Sequence, residues 1–331
     1  MNGERLVVFP DADPDLADQL GDTRGLLAGV AQLRVFIGRP GSLEEYRTRI
    51  AGATALLLGW ELPTEVLRSA SSLEAISFLG AGVSNYLDLQ ASARAGITVM
   101  NVPRYGDNAV AEHSLALILS SIRRVVEYDR LVKDGGWGVT GLSRELEATT
   151  LGILGLGGIG SRVARLASRL GMHVVAWTRS GRPGEVRDGT KLDTLDAVLS
   201  DSDVVSLHLP LVPETVGILS GARLAAMRPG SILVNTARAE LVNEEALIDA
   251  LEHGPLALAA LDVFWMEPPP ASHRLLRLGN VVLTPHVAFA TGEASRRMLR
   301  TALENLVGYF AGEPRHVVGE ATSAGGQAIR R

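Results

Sequence analysis

Short apolar runs alternate with helix-like stretches along the chain, and this alternation predicts two successive α/β layers. In the first part of the chain we expect buried strands at 6–9, 55–58, 75–79 and 98–101. A second series of strands is expected at 151–154, 173–177, 204–208, 231–235, 256–262 and 281–284. Such alternation favours parallel sheets that carry helices on their faces.

Helical patterns connect and close these two series. Asp107 can cap a long helix over about 107–131, which would pass between the domains. A final helix over about 293–310 can return to the first domain, because domains are often interrupted by inserted ones. The tail from Val317 to Arg331 has little to bury, so we expect it to be loosely ordered.

Composition narrows the class of protein. A chain of 331 residues that is 46% hydrophobic can bury the cores of two domains. The net charge of -5, without a basic stripe, argues against a nucleic-acid partner. Without cysteine there is no disulfide or thiolate site, and no histidine pair has metal-ligand spacing. The first apolar run is too short for a signal peptide and no run can span a membrane, so we expect a cytoplasmic protein.

A glycine-rich turn stands between a predicted strand and a predicted helix. The segment consists of Gly155, Leu156, Gly157, Gly158, Ile159 and Gly160, which match the GxGxxG pattern. The first glycine permits the tight turn, the second lets backbone N–H groups approach a pyrophosphate, and the third allows close packing of helix on strand. The alternative is an ordinary glycine turn, but the strand and helix around it favour a dinucleotide site.

The residues that follow the next predicted strand, 173–177, indicate whether the cofactor is NAD(H) or NADP(H). An NAD site usually has an acidic residue here for the ribose hydroxyls, and this chain has Thr178. Arg179 and Arg182 follow, and they can hold a 2'-phosphate through charge-assisted hydrogen bonds. We therefore expect NADP(H) to be favoured over NAD(H), the alternative being a solvated basic turn without a cofactor role.

Three ionisable residues each follow a predicted strand of the second series: Arg238, Glu267 and His286. Open α/β sheets bind ligands at the carboxyl ends of their strands. Arg238 can hold the carboxylate of a 2-oxo acid, and His286 can donate a proton to its carbonyl oxygen during hydride transfer. Glu267 can orient the imidazole and favour its protonated form. Each residue alone could be an ordinary surface group.

At this point the chain resembles the D-isomer-specific 2-hydroxyacid dehydrogenase family, which includes glyoxylate and hydroxypyruvate reductases and phosphoglycerate dehydrogenases. The likeness rests on GAGVSNYLDL (80–89), NVPRYGDNAVAEH (101–113), GLGGIG (155–160), SLHLPLVPET (206–215), MRPGSILVNTAR (227–238), LDVFWMEPPP (261–270) and TPHVAFAT (284–291). The catalytic Arg, Glu and His of the family fall on Arg238, Glu267 and His286.

The resemblance implies further contacts. On the cofactor side they are Leu209, Pro210, Thr236, Ala237 and Asp262. On the substrate side the backbone N–H groups of Ala81, Gly82 and Val83 would face the carboxylate, beside Arg238 and His286. Pro210 could instead only shape a turn, and Asp262 could cap local backbone.

The chain also departs from the usual family pattern. Ala239 replaces a glycine after the arginine, and Ser84 replaces an aspartate. Arg104 and Tyr105 replace a commoner glycine-containing turn and could touch substrate or only solvent. None of these changes removes a catalytic group.

The resemblance implies an architecture of two Rossmann-like, doubly wound domains, with the cofactor domain inserted into a flavodoxin-like substrate domain. The substrate domain would span 1–101 and 293–331, and the nicotinamide dinucleotide-binding domain 102–292. The active site would lie in the cleft between them, and a homodimer is implied.

The function expected is reduction of a small 2-oxo acid, similar to glyoxylate or hydroxypyruvate, to the D-2-hydroxy acid. Two alternatives stay open on the sequence. The same scaffold can serve a formate or phosphite dehydrogenase, or a nucleotide-sensing protein like the transcriptional corepressors that share the fold.

Overall fold

The computed structural model describes residues 5–141 and 143–319. The chain divides into two compact units. The terminal unit comprises the residues up to Gly106 together with those from Thr291 onward, and the central unit is Asp107–Ala290. The chain therefore leaves the terminal unit once and returns to it once.

The terminal unit contains, among its described residues, a six-stranded sheet. Its strands are β1 (Leu6–Ala12), β2 (Gln32–Ile37), β3 (Ala55–Leu58), β4 (Ala75–Phe78), β5 (Thr98–Met100) and β14 (Val317–Gly319). Its helices are α1 (Pro14–Gln19), α2 (Leu43–Ile50), α3 (Thr64–Ser69), α4 (Leu89–Arg94) and α11 (Gly292–Phe310). The strand order is β14-β5-β4-β3-β1-β2, in which β1 to β5 are parallel and β14 pairs antiparallel with β5. The five parallel strands follow the flavodoxin-like order.

The central unit contains, within the described part of the chain, an eight-stranded sheet. Its strands are β6 (Thr150–Leu154), β7 (His173–Trp177), β8 (Val186–Arg187), β9 (Thr190–Leu192), β10 (Val204–Leu207), β11 (Ser231–Asn235), β12 (Leu256–Leu261) and β13 (Val281–Leu283). Its helices are α5 (Asp107–Ile122), α6 (Val125–Lys133), α7 (Gly158–Arg169), α8 (Leu195–Asp201), α9 (Gly221–Ala225) and α10 (Glu244–Glu252). The order β13-β12-β11-β10-β6-β7-β9-β8 changes direction at β6, as in the Rossmann fold. The predicted α/β class with two doubly wound sheets is confirmed.

Burial on both faces of the sheet explains why strands such as β3 are continuous apolar runs in the sequence. In β3, Leu56 and Leu58 belong to one apolar cluster, while Ala55 and Leu57 belong to a second cluster on the opposite face. The second cluster includes Leu303 of α11. Successive side chains of a strand point to opposite faces, so a run without polar residues indicates a strand covered on both sides.

The predicted helix over 107–131 is divided in the structure. Helix α5 begins at Asp107, which therefore lies in the first turn and is not its cap, and ends at Ile122. Arg124 then adopts a left-handed backbone conformation with φ of 54°, and its guanidinium pairs with Glu127 at 2.6 Å. A left-handed residue cannot continue a right-handed helix, so α6 starts anew at Val125.

The expectation of a loosely ordered tail from Val317 is wrong for its first residues. Strand β14 pairs with β5, where Val317 lies opposite Met100. Next to it, the His316 carbonyl accepts a hydrogen bond from the Asn101 N–H at 3.1 Å. The rest of that segment, 320–331, lies outside the described residues. Within the described ranges, every helix is too short or too polar to cross a membrane.

Candidate active site

Arg238, Glu267 and His286 follow three adjacent strands of the central sheet, β11, β12 and β13. Because these strands are parallel, their carboxyl ends meet at one edge of the sheet. Nδ1 of His286 lies 2.7 Å from Oε2 of Glu267, within hydrogen-bond distance. The side chains of His286 and Glu267 are 31% and 36% exposed, so both can meet a ligand.

The electrostatics of Glu267 keep it ionised. Partial burial acts to raise its pKa, but hydrogen bonds from the His286 ring and from the Phe264 N–H, with the nearby charge of Arg238, outweigh it. The pKa of Glu267 therefore lies below its ordinary value. An ionised Glu267 can accept a hydrogen bond from Nδ1 of His286 and so orient the imidazole.

The segment that carries His286 is held by a buried carboxylate. His286 has a positive φ of 54°, which is uncommon for a residue other than glycine. Asp262, which is fully buried, accepts hydrogen bonds from the N–H groups of Val287 at 3.0 Å and Ala288 at 2.9 Å. It also accepts one from the Thr284 hydroxyl at 2.5 Å. Both carboxylate oxygens of Asp262 are thus engaged within the protein.

Arg238 stands on a turn that the last residue of β11 shapes. The side chain of the buried Asn235 accepts from the Ala237 N–H at 3.0 Å and donates to the Arg238 carbonyl at 2.8 Å. The Arg238 guanidinium donates to the Ala237 carbonyl at 2.6 Å and is half-buried. Thr236, also buried, shares a hydrogen bond of 2.7 Å with the Ser114 hydroxyl.

The glycine turn has the geometry that its spacing predicts. Gly155 has a φ of +99°, and a Cβ there would lie 2.5 Å from the His208 carbonyl oxygen. A Cβ on Gly160, in the first turn of α7, would lie 1.9 Å from the Gly155 carbonyl oxygen. Around Gly157, by contrast, no described residue beyond its own chain neighbours has a heavy atom within 4 Å of the Cβ position. The residues thus form a tight turn with open space at its centre, which fits a pyrophosphate at the start of α7.

Gly158 and Ile159 complete the turn. A Cβ on Gly158 would lie 2.3 Å from the Asp107 carboxylate, so a larger residue would require that side chain to move. Arg162 compensates this carboxylate, since it donates to Asp107 at 3.1 Å and to the Gly158 carbonyl at 2.6 Å. Ile159 is half-buried and packs on the apolar cluster beneath the sheet.

Beyond β7, Thr178 is half-buried, while the side chains of Arg179 and Arg182 are exposed. An acidic side chain does lie in this region, although sequence analysis did not identify it. Glu185 accepts from Arg187 at 2.8 Å and from the Arg182 N–H at 3.1 Å. The side-chain hydrogen bond from Arg187 and the backbone one from Arg182 hold the pKa of Glu185 below its ordinary value.

The loop after β10 contacts the glycine turn. Leu209 is buried, and its side chain lies 2.9 Å from the Cβ position of Gly155. Pro210 is exposed, and its carbonyl accepts from the Thr215 hydroxyl at 2.7 Å. Before them, burial lowers the pKa of His208 to about 3, so His208 is neutral near pH 7.

Residues 81–83 lie in the terminal unit, in the loop that follows β4. Ala81 is exposed and Gly82 half-buried, whereas Val83 packs into the core. The Asn101 side chain donates to the Ala81 carbonyl at 2.7 Å, which anchors the loop to the end of β5.

Sequence analysis missed the residues that hold the loops. His113 and Ser114 on α5, together with Asn235 and Thr284, bond to the segments that carry Arg238 and His286. His113 is the last residue of a quoted motif and Ser114 follows it directly, but nothing in their spacing showed that they contact residues more than 100 positions away.

Several known proteins are similar to this chain over most of its length. The profile of "D-isomer specific 2-hydroxyacid dehydrogenase, NAD binding domain" matches residues 115–288. The glyoxylate reductase of Aeropyrum pernix is 41% identical over 276 residues, covering 81% of this chain and 82% of that protein. The hydroxypyruvate reductase of Blautia hydrogenotrophica is 33% identical, covering 83% and 88%. The structure of a D-lactate dehydrogenase from Treponema pallidum has a TM-score of 0.83 at 28% identity, covering 95% of this chain and 99% of that one.

The doubly wound sheet, the glycine turn and the matched profile define a nicotinamide-dependent oxidoreductase. The predicted class of enzyme is thereby confirmed. More narrowly, the chain belongs to the D-isomer specific 2-hydroxyacid dehydrogenase family. Reduction of a 2-oxo acid with a nicotinamide cofactor is the reaction that its reductase relatives support.

Proposed function

We propose that this enzyme reduces a small 2-oxo acid, of the glyoxylate or hydroxypyruvate type, to the D-2-hydroxy acid. The observation that carries the proposal is the 2.7 Å hydrogen bond between Glu267 and Nδ1 of His286. With Nδ1 engaged by a carboxylate, Nε2 is the nitrogen that can exchange a proton with substrate. The names of the relatives favour these two acids.

In the proposed reaction, Arg238 binds the substrate carboxylate through guanidinium N–H groups other than the one engaged by Ala237. A reduced nicotinamide held at the glycine turn would supply the hydride that the carbonyl carbon accepts. His286, as imidazolium, donates its Nε2 proton to the carbonyl oxygen, which becomes the hydroxyl group. Glu267 stabilises the imidazolium, and solvent then reprotonates the neutral ring. In the oxidation direction, neutral His286 is the base.

The remaining contacts in this proposal are those that the family resemblance implies. On the cofactor side they are Gly155, Gly157, Gly158, Ile159, Gly160, Leu209, Pro210, Thr236, Ala237 and Asp262. On the substrate side they are Ala81, Gly82 and Val83, within a substrate domain formed by the two ends of the chain. The buried position of the Asp262 carboxylate supports a role through backbone atoms of its neighbours rather than through its own oxygens.

For the cofactor we propose NADP(H) over NAD(H). Thr178 supplies no carboxylate for the ribose, and the exposed guanidinium groups of Arg179 and Arg182 can contact a 2'-phosphate. Glu185 does not oppose this choice, because its two oxygens already accept hydrogen bonds from Arg187 and Arg182.

The test follows cofactor absorbance with NADPH and, separately, NADH against glyoxylate, hydroxypyruvate, pyruvate and phenylpyruvate. We expect oxidation of the cofactor by at least one 2-oxo acid, lost in His286→Ala. His253→Ala is the matched control, since this histidine of the same unit is 73% exposed and lies in an exposed ion pair with Asp249. Cofactor binding without turnover of any 2-oxo acid would refute the proposal. Formate and phosphite, and then protein partners, are the substrates and ligands to test in that case.

A homodimer is also part of the proposal, and it rests on the family resemblance alone. Gel filtration of the purified chain would give about twice the mass of 35.1 kDa for a dimer. Elution as a monomer would contradict this part of the proposal and leave the reaction untouched.

A further inference from the structure

Helix α5 contacts both of the loops that carry the proposed catalytic residues. His113 places Nε2 3.1 Å from the Thr284 hydroxyl, two residues before His286. The next residue, Ser114, places its hydroxyl 2.7 Å from that of Thr236, two residues before Arg238. Two consecutive residues of one helix thus bond to the turns after β11 and β13.

The direction of the hydrogen bonds at Thr284 follows from the number of protons available. A threonine hydroxyl has one proton, and the Asp262 carboxylate at 2.5 Å can only accept it. The Thr284 oxygen must therefore accept from His113, which requires a proton on Nε2 of that ring. The structure assigns His113 to the Nε2–H form when it is neutral.

The hydrogen bonds that begin at His113 continue through Thr284 and Asp262 to the backbone that directly follows His286, the proposed proton donor. Asp262 accepts N–H groups from Val287 and Ala288, the residues that directly follow His286. Its carboxylate is fully buried, and His113 Nε2 lies 3.7 Å from it. The positive φ of His286 costs energy unless its surroundings hold it in place. The bonds from Asp262 hold this backbone immediately after His286.

We propose that His113 and Thr284 are positioning residues, which act through Asp262 to hold the His286 segment in the conformation that faces Glu267. This inference rests on the proposed role of His286 as proton donor. Neither His113 nor Thr284 supplies a proton to substrate; their contribution is to the placement of the imidazole. Misplacing a reacting group by about 1 Å can lower a rate by about 100-fold.

The first test compares Thr284→Val and Thr284→Ser in the full-length enzyme with cofactor present. Valine has nearly the same shape but no hydroxyl, so we expect kcat to fall by roughly 10- to 100-fold. We expect the KM of the 2-oxo acid and the Kd of the cofactor to stay within about threefold. Serine keeps the hydroxyl and is expected to restore most of kcat. His113→Leu should follow the valine variant, and His113→Gln should retain more activity.

The matched control is Thr149→Val. Thr149 is fully buried in the same unit, and its hydroxyl donates to the Glu145 carbonyl at 2.8 Å, outside the described contacts of Arg238, Glu267 and His286. It should lose stability comparable to that lost by Thr284→Val while keeping kcat. An unchanged kcat in Thr284→Val, a loss confined to cofactor affinity, or a failure of serine to restore kcat would overturn the inference.

A second measurement separates this inference from the proposed function. Nitrogen chemical shifts of labelled histidine report which ring nitrogen carries the proton, with no substrate present. We expect the Nε2–H form for His113 in the wild type and a mixture of forms in Thr284→Val. If the wild type reduces no 2-oxo acid but shows this pattern, the proposed function fails and the hydrogen-bond assignment stands. An Nδ1–H form in the wild type would refute the assignment.

Discussion

Nδ1 of His286 lies 2.7 Å from the carboxylate of Glu267, although the two residues come from turns after different strands. Hydrogen bonds from His286 and Phe264 outweigh the effect of burial and hold the pKa of Glu267 below its ordinary value. The carboxylate therefore carries its charge throughout the pH range in which a histidine titrates. A charged carboxylate at this position can hold the imidazole of His286 in one orientation through their hydrogen bond.

Glu267→Gln keeps the size of the side chain and removes this charge. We expect kcat/KM for reduction to fall by roughly 10- to 100-fold, since a neutral amide orients the imidazole less firmly than a carboxylate does. Steady-state rates test this effect, with the exposed Glu214→Gln as the control. A kcat/KM equal to that of the wild type would contradict the role of Glu267 in the reaction.

Substitution by alanine is expected to affect the unfolding free energy differently at Gly157 and at Gly160. Gly157 has a negative φ of -85°, and no described residue beyond its chain neighbours comes within 4 Å of its Cβ position, so Gly157→Ala should change the unfolding free energy by less than about 0.5 kcal/mol. Its methyl group would occupy the open centre of the turn, and we expect the cofactor Kd to rise by about tenfold or more.

In Gly160→Ala the new methyl would lie 1.9 Å from the Gly155 carbonyl oxygen, so the turn must distort. We expect destabilisation of about 1–3 kcal/mol together with loss of cofactor binding. Thermal unfolding and cofactor titration of both variants distinguish the two cases. Equal destabilisation of the two variants would contradict the open space at Gly157, and an unchanged cofactor Kd in Gly157→Ala would mean that this space does not hold the cofactor.

Arg179→Ala tests the proposed cofactor preference. A charge-assisted hydrogen bond to a 2'-phosphate contributes roughly 1.5–3 kcal/mol, so its loss should raise the KM of NADPH by about tenfold or more. The KM of NADH should stay unchanged, because NADH has no 2'-phosphate. Arg169→Ala, at the exposed end of α7, is the matched control. A wild type that prefers NADH would refute the preference before any variant is made.

The sequence predicted some strands with their observed bounds, whereas it did not predict other elements at all. The run Ala55–Leu58 was predicted with its observed bounds because all four residues are buried, which leaves an uninterrupted apolar run. The edge strand Gln32–Ile37 was not predicted, since half-exposed positions interrupt its apolar residues. The break at Arg124 also escaped prediction, because a left-handed residue other than glycine has no composition signal.

For the candidate site, types of residue at strand ends were enough to select Arg238, Glu267 and His286. The contact between Glu267 and His286 is local to one sheet edge, so the strand order predicts it. The bonds from His113 and Ser114 depend on how α5 packs under that sheet. Packing of this kind depends on three-dimensional fit, which spacing along one sequence does not encode.

The buried Asp11 of the terminal unit is expected to make the stability of the folded protein depend on pH. Burial raises the pKa of its carboxyl group from 3.8 to about 6, despite hydrogen bonds from the N–H groups of Gly59 and Trp60. The folded chain thus binds this proton more tightly than the unfolded chain does. The stability that the protonated acid contributes is present below the unfolded pKa and is lost as pH rises through the folded one.

Asp11→Asn carries no charge at any pH and should not show this loss. We expect the unfolding free energy of the wild type, relative to this variant, to fall by up to about 3 kcal/mol between about pH 4 and pH 7. Taking the difference cancels other titrating groups, and it also cancels the constant effect of exchanging one hydrogen-bond acceptor for another. Urea unfolding at several pH values measures it, with the exposed Asp15→Asn as a control whose difference should stay flat. A pH-independent difference for Asp11→Asn would mean that this carboxylate is ionised in the folded protein near pH 5, in spite of its burial.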